Sequence, residues 1–189
     1  MANFTLKARS ALDGLKVEHA GIFIEEITDR ALVSIAPPLD GAATLDEALQ
    51  QAYGAGLPPA GKCVQATTDN AMIIAMARDQ FFIIFDELGR DPATTVDANL
   101  NHAGYVVDQS DSWAMLRIAG NDCRSALERM CPIDLHPAVF GKGDATRTVM
   151  EHLAVMIIYE SATSFILLSA RSSAKSFAHA LETSARNVA

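Results

Sequence analysis

The sequence predicts an α+β fold made of two related split β-α-β halves of the ferredoxin-like kind, whose sheets share one core. Three observations carry this expectation. One order of elements (strand, helix, hairpin, helix) reads twice along the 189 residues. The hairpin strands are continuously apolar, as in Phe82-Ile83-Ile84-Phe85 and Phe165-Ile166-Leu167-Leu168, so each sheet should be covered on both faces. Half of the residues are hydrophobic (50%), which supplies ample apolar surface against the entropy of ordering the chain. The expected organisation is a single domain over 1–189, with an internal duplication into halves near 22–108 and 109–189.

In the first half, Arg30–Ala36 alternates with Ala31, Val33 and Ile35 on one face, which reads as a strand. A Pro/Gly turn follows at 37–41. Thr44 and Glu47 have capping-box spacing, Leu45, Ala48, Leu49, Ala52 and Tyr53 follow at helical intervals, and Gly54 is placed to stop the helix. Two apolar strands, Met72–Ala77 and Phe81–Asp86, are joined by Arg78-Asp79-Gln80. Asp91-Pro92 opens a second helix, with Asp91 as cap and Pro92 in its first turn. A short strand at Ala103–Val107 closes the unit.

The second half repeats the pattern. Trp113–Ile118 alternates and ends at Gly120, and Asn121 stands where a helix cap is needed. The stripe Cys123, Ala126, Leu127 and Met130 marks a short helix. A long loop leads to the hairpin Leu153–Tyr159 with Phe165–Leu168, turning at 160–164. A last helix carries Ala174, Phe177, Ala178, Leu181, Ala185 and Val188 at intervals of three and four.

Composition excludes several function classes. A net charge of −8 and a pI near 5.0 argue against nucleic-acid binding, since the basic residues are scattered singly. Every apolar run falls short of the ~18–20 residues needed to span a bilayer, so no membrane partner is expected. No secretory pattern opens the chain. Cys63, Cys123 and Cys131 are odd in number and widely spaced, which suits free thiols in the cytoplasm.

Motifs that carry chemistry elsewhere are incomplete here. Ser172-Ser173-Ala174-Lys175 matches S-x-x-K without the accompanying elements, and a serine there suits a helix cap. Cys123, Cys131, His136 and His152 have no metal-ligand spacing. His152 and Glu151, if on a strand, would point to opposite faces. Gly54–Lys62 departs from a phosphate-loop register, with Pro58 and Pro59 removing amide donors and Cys63 in place of the hydroxyl residue. Asp134 and Glu151 are not brought together by any local pattern. The residues therefore predict no catalytic, cofactor-binding or metal set.

Three stretches carry a resemblance to a known family. They are Leu127-Glu128-Arg129-Met130-Cys131-Pro132-Ile133-Asp134-Leu135-His136-Pro137, then Ala145-Thr146-Arg147-Thr148-Val149-Met150-Glu151-His152-Leu153, then Ser169-Ala170-Arg171-Ser172-Ser173-Ala174-Lys175-Ser176-Phe177. With the opening Arg9-Ser10-Ala11-Leu12-Asp13-Gly14-Leu15, they resemble the gamma subunits of heterotetrameric sarcosine oxidases. The resemblance implies a non-catalytic subunit whose fold is related to the folate-binding domain of the glycine-cleavage aminomethyltransferase. It implies alpha, beta and delta subunits as partners, one of them zinc-binding, with FAD, FMN, NAD and tetrahydrofolate on those partners. It also implies an assembly that demethylates sarcosine to glycine, yielding hydrogen peroxide and formaldehyde or 5,10-methylenetetrahydrofolate. On this reading Pro132, Asp134, His136, Arg147 and Arg171 are interface candidates. The alternatives are a stand-alone folate-binding aminomethyltransferase-like protein, or a subunit of a related N-methyl amino acid oxidase or dehydrogenase.

Overall fold

The computed structural model describes residues 8–86 and 91–188. In chain order its elements are β1 (Lys16–His19), β2 (Ile22–Ile27), β3 (Arg30–Ala36), α1 (Ala42–Tyr53), β4 (Cys63–Gln65), β5 (Met72–Ala75), β6 (Phe81–Asp86), α2 (Pro92–Asn99), β7 (Tyr105–Asp108), β8 (Trp113–Ala119), α3 (Cys123–Glu128), β9 (Ala145–Met150), β10 (Leu153–Ser161), β11 (Ser164–Ala170), a 3-10 turn Arg171–Ser173, and α4 (Ala174–Arg186).

The strands form two antiparallel sheets, ordered β1-β2-β8-β11-β10-β9 and β7-β3-β6-β5-β4. These orders correspond strand for strand from β2 and β7 onward. In each half the first strand, β3 or β8, is followed by a helix, and a later strand, β6 or β11, inserts between it and the outer strands. That is the split β-α-β arrangement with one added edge strand, β4 or β9. The closing strands differ in origin. β7 closes the first half from within it, whereas β2 pairs with β8 to close the second (Ile24 opposite Ile118, Ile27 opposite Met115). Ile22–Ile27, grouped with the first half in the sequence, thus belongs to the sheet of the other.

Alternation sends side chains to three cores. Ile22, Ile24, Leu116, Ile118, Phe165 and Leu167 pack with Leu127, Phe177 and Leu181 of α3 and α4. Ala31, Val33, Ile35, Ile73 and Ile83 pack with Leu45, Leu49 and Tyr53 of α1 and Val96 of α2. The opposite faces of both sheets meet through Leu32, Ile74, Phe82, Ile84, Met115, Met156, Ile158, Ile166 and Leu168. Helices therefore cover the outer faces and the sheets share the middle. Met76 is buried in that middle core and Met72 packs partly against it. The sheets are also stitched at one corner, where Cys63 N–H donates to the Gly143 carbonyl (2.9 Å) and Ala145 N–H to the Gly61 carbonyl (3.1 Å).

Several local expectations are corrected. Thr44 does not cap α1. The helix starts earlier, at Ala42 behind Gly41, and no side chain caps it. The Gly41 amide bonds the Pro38 carbonyl (2.9 Å), and this turn feeds the helix directly, leaving Thr44 inside its first turn. Asn121 does not cap α3; Asp122 holds that position, again without a side-chain bond. Asp91 does cap α2, accepting from the amides of Ala93 (3.1 Å) and Thr94 (3.3 Å). The long loop before the second hairpin contains an entire strand, β9. Glu151 and His152 are not on a strand at all. They are the two central residues of the β9–β10 turn, both in the left-handed region (φ 47° and 67°). Such turns favour Asn-Gly, so Glu151→Asn with His152→Gly is expected to raise stability by about 1 kcal/mol in a urea titration.

Candidate subunit interface

The loop after α3 carries three of the five interface candidates. Its anchors, Cys131, Leu135 and Phe140, are buried in the core under α3 and α4. Between them Pro132, Asp134 and His136 are exposed. Asp134 accepts from the His136 amide (2.9 Å), and the Ala138 amide donates to His136 Nδ1 (3.2 Å). The amides of Val139 and Phe140 both donate to the His136 carbonyl. Nδ1 is thereby an acceptor. Two prolines and this set of bonds hold the loop in one shape, which lowers the ordering cost of any contact.

Arg147 lies on the edge strand β9, beside that loop. Met150 of β9 shares a core with the loop anchors Cys131, Leu135 and Phe140, so the loop packs on one face of β9 while Arg147 and Val149 occupy the other. Both are exposed, Val149 by 53%. Ala154, opposite Val149 on β10, is exposed as well. Among the described residues, no acceptor engages the Arg147 guanidinium.

Arg171 has a different setting. Its guanidinium donates to the Arg9 carbonyl and lies 3.6 Å from Asp111. The same N-terminal stretch is held by buried Glu26, which accepts from Ser10 Oγ (2.7 Å), the Leu12 amide (3.0 Å) and the Gly14 amide (2.8 Å). Arg9, Glu26, Arg30, Asp108, Trp113 and Arg171 line a cleft of ≈ 680 Å³ there. The structure thus packs the loop of Pro132, Asp134 and His136 on one face of β9, puts Arg147 on the other face of that strand, and places Arg171 with the N-terminal segment.

The sequence reading missed a charged cluster on the sheet. Arg117 of β8 donates to both Glu160 oxygens (2.8 Å each) and to Glu25 of β2 (2.6 Å). Lys16 adds a weaker contact to Glu25 at 3.9 Å. Glu160 also accepts from Ser164 Oγ. Burial alone would raise the Glu160 carboxyl, but the Arg117 and Ser164 hydrogen bonds favour its ionised form and hold it below the usual range. A carboxyl depressed in the folded state stabilises above its unfolded pKa, and that contribution is lost as pH falls through the folded value. Glu160→Gln should therefore cost about 1–2 kcal/mol at pH 7. Urea titrations at descending pH should show the gap from wild type closing below about pH 4.

The groups able to act as nucleophiles are placed for packing. Burial first, then Asp144, pushes the Cys63 thiol up to about 11, against a smaller opposing effect of Lys62. Burial likewise raises Cys123 and Cys131. All three are thiols at neutral pH. Ser172 and Lys175 are exposed, and Ser173 holds the N-cap position of α4 as expected, but its Oγ donates to the Ala170 carbonyl (3.1 Å) and caps no helix amide. Asp144 bonds Lys62 (2.5 Å) and the Gly141 amide (2.7 Å). Among the described residues, no three His, Cys, Asp or Glu side chains cluster as metal ligands.

No family model matches the chain. Over 110 residues, 58% of this chain, it is 30% identical to the sarcosine oxidase gamma subunit of Corynebacterium sp. strain P-1. It is 29% identical over the same length to the gamma subunit of an Arthrobacter species. The match covers 54% of each, so the chain spans about half the length of the curated relatives it matches. A chain of the heterotetrameric sarcosine oxidase from Corynebacterium sp. U-96, solved with pyrrole 2-carboxylate, superposes with a TM-score of 0.78 at 22% identity, over 95% of both chains. The chain resembles the gamma subunit of sarcosine oxidase. Aminomethyltransferase T of the Bartonella henselae glycine cleavage system shares the fold at a TM-score of 0.61 and 14% identity, over 86% of this chain and 46% of that one. The expectation of two related α+β halves, drawn from element order and from the likeness to sarcosine oxidase gamma subunits, is the fold observed.

Proposed function

We propose that this chain is the non-catalytic gamma subunit of a heterotetrameric sarcosine oxidase. One observation carries the reading. The sequence match names gamma subunits, and the fold follows a chain of such an oxidase over 95% of both chains. On this reading alpha, beta and delta subunits are the partners, and FAD, FMN, NAD and tetrahydrofolate sit on them. The assembly, in the cytoplasm, demethylates sarcosine to glycine with release of hydrogen peroxide and formaldehyde or 5,10-methylenetetrahydrofolate. No helix of the described residues is long and apolar enough to cross a membrane.

The contact surface is the β9 edge, with Arg147 at its centre and Pro132, Asp134 and His136 on the adjoining loop. Arg147→Ala should weaken retention of the flavin-bearing chains about tenfold, the effect of one charged hydrogen bond. The melt of the isolated chain should stay within about 0.5 kcal/mol, as for other exposed sites. A melt that falls in step with retention would contradict this role. Arg171→Ala should instead loosen the stretch around Arg9 that it holds. The reading as a whole is tested by recovering the tagged chain from its source cell. Three companion polypeptides, a yellow preparation and sarcosine-dependent peroxide are expected. A colourless chain that recovers alone and binds tetrahydrofolate in a titration would favour the aminomethyltransferase-like alternative.

A further inference from the structure

The two halves match strand for strand, yet their closing strands end differently. In one sheet β2 carries a further antiparallel strand, β1, on its outer edge (Lys16 opposite Glu25, Val17 opposite Ile24). In the other sheet the equivalent strand is β7, and among the described residues nothing pairs beyond it. The parity of its backbone follows from one bond, the Gln109 amide to the Leu32 carbonyl (2.8 Å). Hydrogen-bonded and non-hydrogen-bonded pairs alternate along an antiparallel ladder, so Val107 and Tyr105 bond β3. Val106 and Asp108 then turn their N–H and C=O groups outward. The side chains beside this edge are apolar and open, with Tyr105 67% and Val107 52% exposed. Bare apolar edges of this kind invite strand addition, and proteins ordinarily cover or blunt them.

We infer that the β7 edge takes an extended segment of a partner polypeptide as a further strand, in the place that β1 fills on β2. This rests on the subunit reading above. The occupant should alternate apolar residues against Tyr105 and Val107 and carry Lys or Arg near exposed Asp108. β1 is a model for it, since its Lys16 lies 3.9 Å from Glu25 of β2. A second copy of this chain fits less well, because it would set Asp108 near its own equivalent on a chain of net charge −8.

Amide-resolved hydrogen exchange on the full chain, alone and in the purified assembly, tests the inference. The Val106 and Asp108 amides should exchange freely in the isolated chain and slow about a hundredfold in the assembly. Run beside Asp108→Ala, the control for losing the carboxylate that accepts from the Ser110 amide (2.9 Å), Asp108→Pro removes an outward N–H while leaving the backbone bonds to β3. It should weaken assembly about tenfold with the isolated chain still folded by circular dichroism. Two results overturn the inference while leaving the subunit reading intact. One is an assembly in which these amides still exchange freely; the other is slowing already present in the isolated chain, whether from its own residues or from self-association. Failure of the wild-type chain to join flavin-bearing chains at all would overturn both.

Discussion

Phe165→Ala is expected to cost about 3–5 kcal/mol of unfolding free energy, the range for emptying a large aromatic site. Phe165 is fully buried on β11. Its ring stacks on Phe140 (centroids 6.3 Å apart), takes the edge of Tyr159 (5.9 Å) and lies under the Arg124 guanidinium (4.9 Å). Removing it therefore leaves a cavity, ends two aromatic contacts and strips Arg124 of a cation–π partner. Phe140 anchors the loop that displays Pro132, Asp134 and His136, so the effect should extend beyond stability. Urea titration gives the first quantity. Hydrogen exchange across 131–140 gives the second, and it should quicken more than exchange in α1, which packs in a separate core. A loss below about 1 kcal/mol would show that the site collapses without cost and that this account of the loop is wrong.

Gly120→Ala is expected to cost about 3 kcal/mol or more, although it adds only one methyl group. Gly120 has φ +130°, a conformation that side chains rarely adopt. A Cβ there would lie 2.2 Å from the Gly21 carbonyl oxygen, and a backbone atom cannot swing aside as a side chain would. The position matters because it joins three parts of one sheet. Its amide donates to the Thr163 carbonyl (2.9 Å), its own carbonyl accepts from Cys123 at the start of α3, and Gly21 belongs to the β1–β2 turn. The substitution should therefore push β1 and β2 away from β8. A thermal melt with exchange measured at Ile24 and Ile118 would report it. Unchanged stability would mean that the close approach of the two glycines is not required.

What the sequence disclosed follows the range of the interactions involved. β6 and β11 were legible because their continuous apolar runs reflect burial on both faces, β3 and β8 because their residues alternate, and α4 because its stripe repeats at three and four. β9 was not, since an edge strand reading Ala-Thr-Arg-Thr-Val-Met exposes one face and lacks a continuous apolar run. β2 carried a signal in Ile22 and Ile24, but its partner β8 lies some ninety residues later in the chain, and local pattern does not reveal such a pairing. The missed caps have a local cause, because backbone turns at Pro38–Gly41 and Gly120–Cys123 start α1 and α3 without side-chain help. The candidate surface was partly legible. The spacing of Pro132 and Pro137 marks a stiff loop, but only the folded chain packs that loop on the strand of Arg147 or gives Arg171 its place against Arg9. The Arg117 cluster was out of reach, since its carboxylates come from positions 25 and 160.

The central claim is that this chain works as one subunit among flavin-bearing partners. The most direct test is to co-express it with the alpha, beta and delta chains proposed as its partners and pass the product through a sizing column with absorbance recorded at 280 and near 450 nm. The account predicts that the chain elutes with the flavin in a single heterotetrameric peak, and that omitting it shifts the flavin peak to a smaller species. Elution of the chain by itself at 20.2 kDa, beside a flavin peak unchanged by its absence, would contradict the account.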